Sequence, residues 1–189
     1  MRVIAGRYGS RPLRSLRGMD IRPTSDRLRE TLFDVLTAGN PSALKGTVWI
    51  DLYAGTGAVG IEALSRGAGM VYFVESSRNA TQLVHENLRS LHIDSGYEIL
   101  GKDAIRALRM LEKRGVAADY VFLDPPYRMT NEYETALETL GNDGPVHSGA
   151  AVIAEHQSKA QLPEEAGGLR RYRTLVQGDA ALSFYRMMG

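Results

Sequence analysis

V-W-I-D-L-Y-A-G-T-G-A-V-G-I-E-A-L-S, residues 48–65, decides the fold. A short apolar run carrying one acid is followed by a glycine-rich turn. A helical pattern then begins with Val59, Ile61, Ala63 and Leu64 and stops near Gly67. Gly55-Thr56-Gly57-Ala58-Val59-Gly60 fits the pattern G-x-G-x-x-G between a strand and a helix. Glycines there let the backbone turn sharply and approach a ligand closely.

Outward from this unit the alternation repeats. Val71–Glu75 reads as a strand, Ser77 as a helix cap, and Ala80, Leu83, Val84, Leu88 and Leu91 as one helix face. Tyr97–Leu100 is a third strand, and Asp103 caps a helix carrying Ile105, Leu108 and Leu111. Residues 120–124 form a fourth strand, followed by a helix from Asn131 with Tyr133, Ala136, Leu137 and Leu140. Residues 150–154 form a fifth strand. Strands alternating with helices predict a parallel sheet covered on both faces. The chain ends differently. Tyr172–Val176 and Leu182–Arg186 leave no room for a helix between them, so they form an antiparallel hairpin.

In such a sheet, ligands sit at the carboxyl ends of the strands. Asp51, Gly55, Glu75, Asp103 and Asp124 all fall there and would converge on one cleft. Glu75 suits the two hydroxyls of a ribose. A nicotinamide dinucleotide would place its pyrophosphate on the helix N-terminus. S-adenosylmethionine has the nucleoside without the phosphates. The Asp51 carboxylate suits its ammonium group and repels a pyrophosphate, and Asp103 can pair with the adenine amino group.

Asp124-Pro125-Pro126-Tyr127 follows the fourth strand. The prolines fix φ and stiffen the loop. A carboxylate and a carbonyl held side by side can accept two hydrogen bonds from one exocyclic NH₂ group. That orients a nitrogen whose lone pair is otherwise delocalised into a base. Tyr127 offers a face on which the base can stack. A rigid turn with a packed tyrosine is the competing reading. The chemistry needs no metal.

The chain has 189 residues, 43% hydrophobic and 24% charged, as expected of one globular domain. No apolar run is long enough for a membrane span, no signal peptide is read at the N-terminus, and cysteine is absent, which fits a cytoplasmic protein. Residues 1–30 hold eight arginines against three acids, in a chain whose net charge is +1. A basic segment on a slightly acidic body suits a polyanion partner, although a solvated arm would read the same way. We expect residues 1–23 to be a basic arm or small hairpin beside a main domain of 24–189. From Ser25 a helix begins, with Leu28, Leu32, Phe33 and Leu36 on one face, and ends at Gly39-Asn40-Pro41.

Together, "RVIAGRYGSRPL" (2–13), "RPTSDRLRETLFDVL" (22–36), "DLYAGTGAVGIEALSRGA" (51–68), "FVESS" (73–77), "FLDPPY" (122–127) and "IAEH" (153–156) resemble the RsmD-type methyltransferases over nearly the whole chain. Those enzymes use S-adenosylmethionine to methylate guanine N2 in small-subunit (16S) ribosomal RNA. Tyr53 and Thr56 stand where Phe and Ser are expected. The resemblance implies a Rossmann-like class I methyltransferase fold with seven strands, the last inserted antiparallel. It implies cofactor contacts at Asp51, Gly55, Gly57, Glu75, Asp103 and Ala104. It also implies a catalytic loop of Asp124, Pro125, Pro126 and Tyr127. Arg22, Thr24 and Arg27 would lie over cofactor or substrate, and Arg7 and Arg11 would contact RNA phosphates. A small-subunit assembly particle is the expected substrate form, and a monomer the simplest state.

Other readings compete. Adenine N6 or cytosine N4 of DNA, or a protein glutamine, would use the same D-P-P-Y chemistry. A nicotinamide oxidoreductase would leave D-P-P-Y without a role. A non-catalytic RNA-binding assembly factor would use the fold only as a scaffold. Glu155 and His156 end the fifth strand near the cleft rim, open to a substrate contact. Arg170, Arg171 and Arg173 form a second basic cluster, either facing RNA or lying on a solvated strand edge. Trp49 and at least one of Phe184 and Tyr185 belong to the core.

Overall fold

The computed structural model describes residues 1–15, 25–126 and 130–189, with the side chain of Thr130 excepted. Eight strands and five helices are present among them. In chain order they are α1 (Asp26–Thr37), β1 (Val48–Leu52), α2 (Ala58–Ser65), β2 (Met70–Val74), α3 (Arg78–Ser90), β3 (Tyr97–Leu100), α4 (Ala104–Lys113), β4 (Ala118–Leu123), α5 (Thr130–Asp143), β5 (Val146–Gln157), β6 (Glu165–Ala166), β7 (Leu169–Gln177) and β8 (Ala180–Met187).

One sheet contains all the strands, in the order β3-β2-β1-β4-β5-β8-β7-β6. The first five in that order run parallel, and β8 enters antiparallel between β5 and β7. The seven expected strands are therefore present, with the last one inserted antiparallel. The two-residue β6 extends the edge beyond them, pairing with β7 across the tight Gly167-Gly168 turn. The β7–β8 hairpin closes over only Gly178-Asp179, with Gly178 at φ 63°, so both strands are longer than expected. β5 also runs further at each end than residues 150–154, because Val146 pairs with Ala118 of β4 and the second half is zipped to β8 from Ala151 to Gln157.

Alternating side chains divide the core between the two faces. Trp49, Phe73, Phe122, Ile153 and Phe184 pack under α1, α2 and α3. Ile50, Leu52, Val121, Leu123 and Tyr185 pack under α4 and α5. Phe184 and Tyr185 point to opposite faces, and both are buried.

Residues 1–13 fold back on themselves, with Arg2 bridged to Pro12, and contribute Val3 and Leu13 to the core of the first face. Their backbone is held by α2. Glu62 accepts from the N–H groups of Ile4 (2.7 Å) and Ala5 (3.0 Å), and Ser65 Oγ accepts from that of Tyr8 (2.9 Å). Glu62 is fully buried and pairs with Arg66 at 2.7 Å. The fully buried Arg29 of α1 approaches Glu62 to 3.9 Å and donates to the Arg2 carbonyl and to Asp26. Among the described residues, no helix is long and apolar enough to cross a membrane.

Candidate active site

The glycine turn joins β1 to α2. Gly57 sits at φ 75° and is the residue immediately before the helix. Gly60 has a different task. A Cβ there would lie 2.3 Å from the Phe73 ring, so its absence lets α2 lie directly on β2. Tyr53, which leads into the turn, also has a positive φ of 61°, unusual for a non-glycine residue. Its hydroxyl donates to Glu132 at 2.6 Å, tying the turn to the start of α5.

Acids at the strand ends hold this turn in place. Glu75 Oε2 accepts from Gly55 N–H at 2.9 Å, and its Oε1 accepts from Ser77 N–H at 2.8 Å. Asp51 is buried beneath the turn, and its Oδ2 accepts from Gly60 N–H at 2.9 Å. Burial pushes the Asp51 carboxyl up to about 7. The Gly60 hydrogen bond opposes this and the charge of Glu75 adds to it. An N–H of the first turn of α2 is thus taken by an internal carboxylate, which disfavours a pyrophosphate at that helix end. Asp103 caps α4 through Arg106 N–H at 3.0 Å and stays exposed, and Ala104 is the first, buried residue of that helix.

Asp124 lies just past β4. Leu123 pairs with Ala154, so Asp124, just past β4, lies beside Glu155 of β5. Burial, the charge of Glu155 and then that of Asp51 hold the Asp124 carboxyl well above the ordinary aspartate range. Asp51, Asp124 and Glu155 thereby concentrate carboxylates on one side of the cleft. Such a cluster favours a cationic or hydrogen-bond-donating ligand. Pro125 is buried and Pro126 exposed. Tyr127, Arg22 and Thr24 lie outside the described residues.

Asp51 thus lies near both Glu75 and Asp124, around the ends of β1, β2 and β4, and Asp103 follows β3 as the cap of α4. Glu155 joins them from inside β5 rather than from its end. His156 does not belong to the cleft rim. It is 3% exposed, with one ring nitrogen on the Gln157 carbonyl and the other on Ser183 Oγ, both at 2.8 Å. The continuation of β5 against β8 is what buries it.

Among the arginines, Arg7 and Arg27 are exposed. Arg11 is half-buried and donates to the carbonyls of Ser90 (3.0 Å) and Leu91 (3.3 Å) at the end of α3.

One residue not singled out in the sequence links two parts of the site. Asn87 is fully buried. Its Oδ1 accepts from Arg14 N–H at 2.8 Å, and its Nδ2 donates to the carbonyls of Arg14 (3.2 Å) and Thr56 (2.9 Å). The glycine turn and the end of the N-terminal hairpin are thereby fastened to the same side chain. Asn87 falls within the apolar stripe of α3, between Val84 and Leu88, and that placement was the available signal.

The architecture matches that of known proteins. The family model described as "Conserved hypothetical protein 95" matches residues 1–186. The chain belongs to the RsmD-type methyltransferase family. It is 33% identical to the putative rRNA methyltransferase YlbH of Bacillus subtilis, with both chains covered over 100% of their length. It is 30% identical to ribosomal RNA small subunit methyltransferase D of Escherichia coli strain K12, over 98% of this chain and 89% of that one. The solved structure of the putative methyltransferase yhhF from Escherichia coli superposes with a TM-score of 0.82 at 28% identity, covering 99% of this chain and 97% of that one. The fold is thus that of class I S-adenosylmethionine-dependent methyltransferases.

Proposed function

We propose that this RsmD-type protein transfers a methyl group from S-adenosylmethionine to the exocyclic N2 of a guanine in small-subunit ribosomal RNA. The observation that carries this reading is the placement of Asp124 at the end of β4, beside the glycine turn and its acids. The relatives' names support ribosomal RNA as the substrate class.

The residues present fit the cofactor. Glu75 offers a carboxylate to a ribose, Asp103 a carboxylate to an adenine amine, and Asp51 a buried carboxyl near a cation. The turn at Gly55 and Gly57 brings the backbone close to the ligand, with Ala104 at the head of α4. S-adenosylmethionine supplies an electrophilic methyl group on a sulfonium.

The chain's own residues do the rest. Asp124, as a carboxylate, and a backbone carbonyl of the Pro125-Pro126 loop accept the two N–H groups of the target amine. The two acceptors fix the nitrogen's orientation, which is worth several kcal/mol when the reacting atoms are held in line. The prolines keep those acceptors rigid, and Tyr127 stacks on the base. A base in a duplex must be flipped out or already unpaired to reach this loop. Arg7, Arg11, Arg22, Thr24 and Arg27 are the candidate RNA contacts of the N-terminal region.

Methyl-labelled S-adenosylmethionine tests the reading, with unmethylated small subunits, naked ribosomal RNA, duplex DNA and bulk protein offered in parallel. Label recovered as N2-methylguanosine supports it, and the substrate form that accepts label distinguishes a particle from free RNA. Label in DNA or protein would overturn the substrate and keep the chemistry.

A further inference from the structure

The second basic cluster of the sequence is divided by the structure. Arg171 turns inward and donates to the Leu162 carbonyl at 3.1 Å, and Arg170 is paired with Glu165 at 2.8 Å. Arg173 is left exposed opposite Phe184, and the exposed Arg186 lies two residues further along β8, opposite Arg170. Among the described residues, neither has a carboxylate partner.

Between them stands Tyr172. The register of β7 against β8 shifts between Arg171 and Arg173, so Tyr172 is the extra residue of a bulge. Bulges re-aim side chains. This one places the Tyr172 ring beside Phe184, with centroids 6.2 Å apart, and under the Arg186 guanidinium at 5.6 Å. The ring stays 47% exposed. Burial raises the ionisation of its hydroxyl, and both Arg173 and Arg186 are near enough to oppose that rise. Asp119, the carboxylate near the adjoining Tyr120, is already engaged by Val48 N–H and His147.

This cluster lies on the α1 side of the sheet, the same side as Asp51 and Asp124. Arg186 pairs with Ala151, four residues before Glu155 on β5. That is about 13 Å along the strand, at roughly 3.3 Å per residue. The cluster is therefore separate from the cleft yet within reach of a chain whose target base occupies it.

We propose that Tyr172, Arg173 and Arg186 form a docking surface for a single-stranded RNA segment, which stacks a base on the Tyr172 ring and sets phosphates against the two arginines. This rests on the reading of the substrate as RNA and adds the surface that holds the chain away from the reacting base. An exposed aromatic ring flanked by unneutralised guanidinium groups suits a flexible polyanion with planar bases.

The test is binding of a short single-stranded RNA over a salt series, with methyl transfer to small subunits measured alongside. Tyr172→Ala should weaken binding about tenfold, and Tyr172→Phe should bind as the parent does. Arg173→Ser and Arg186→Ser should each flatten the slope of log affinity against log salt by about 0.7. Lys113→Ser, an exposed charge loss on the opposite face, should leave the slope unchanged. Arginine variants that behave like Lys113→Ser would overturn the proposal. So would variants that keep RNA affinity but lose affinity for small-subunit proteins, since the surface would then dock protein. Patch-dependent RNA binding without label in guanine would leave this surface standing and remove the guanine reading. Guanine labelling with patch-independent binding would do the reverse.

Discussion

Glu75 holds Gly55: the Gly55 N–H donates to Glu75 Oε2 at 2.9 Å, while Glu75 Oε1 accepts from Ser77 N–H at 2.8 Å. One carboxylate thus sets the shape of the glycine turn and retains lone pairs for a ribose. Glu75→Gln turns an acceptor into a donor facing an N–H. A cost of about 2 kcal/mol in cofactor binding is expected, or roughly thirtyfold in Kd. Calorimetric titration with S-adenosylmethionine checks this. Unchanged affinity would remove Glu75 from the cofactor site.

Asp51 makes stability depend on pH. Its folded carboxyl is raised from 3.8 to about 7, so the native state holds a proton that the unfolded state releases. The associated stability is fully present below pH 4 and is lost as pH rises through about 7. Its ceiling is on the order of 4 kcal/mol. Asp124 is shifted in the same direction and adds to the slope. Urea unfolding between pH 5 and 8, a window chosen around those values, should show falling stability, with a shallower fall in Asp51→Asn. Equal slopes in both proteins would contradict the assignment. A cationic ligand favours the ionised form, so cofactor affinity should rise over the same window.

Glu62 and Arg29 are both fully buried and clamp the N-terminal hairpin between α1 and α2. Among the described residues, Arg29 Nε and one terminal nitrogen already lack hydrogen-bond partners. Glu62→Gln would leave two guanidinium groups, Arg29 and Arg66, facing a neutral side chain. Destabilisation of about 3 kcal/mol is expected, a drop of roughly 10 °C in Tm. Thermal unfolding followed by circular dichroism measures it.

Arg7 and Arg11 separate by readout. The Arg11 guanidinium closes the last carbonyls of α3, so Arg11→Ala should cost about 1 kcal/mol of stability. Exposed Arg7→Ala should leave unfolding unchanged and flatten the salt dependence of RNA binding by about 0.7 to 0.9. Identical unfolding of the two variants would argue against the Arg11 cap.

The strand and helix order was legible because short apolar runs alternate with stretches of helical periodicity along the chain. The strand-end acids were legible because parallel topology forces those ends into one cleft. The polar core was harder to see. Arg29 reads as part of a basic surface, yet it sits four residues before Phe33 on the buried flank of α1. Glu62 lies on a helix buried on nearly every side, where an acid needs specific partners that only the tertiary fold supplies. Asn87 and Glu62 each interrupt an apolar stretch, and such interruptions mark fastening points. β6 has only two residues, too few for any periodicity. His156 was misplaced because nothing local shows that β8 would extend β5 past it.

Tyr53 shows that a conservative exchange need not be silent. Where Phe is expected, its hydroxyl engages Glu132, and burial followed by that carboxylate pushes its ionisation far up.

The most direct test is single-turnover methyl transfer by the parent and by Asp124→Ala, with small ribosomal subunits as acceptor and cofactor affinity measured on the same preparations. The account predicts N2-methylguanosine from the parent and loss of transfer in the variant, with cofactor affinity within a few-fold of the parent's. Substantial transfer by Asp124→Ala would contradict it, because the carboxylate at the end of β4 would then not be what orients the amine.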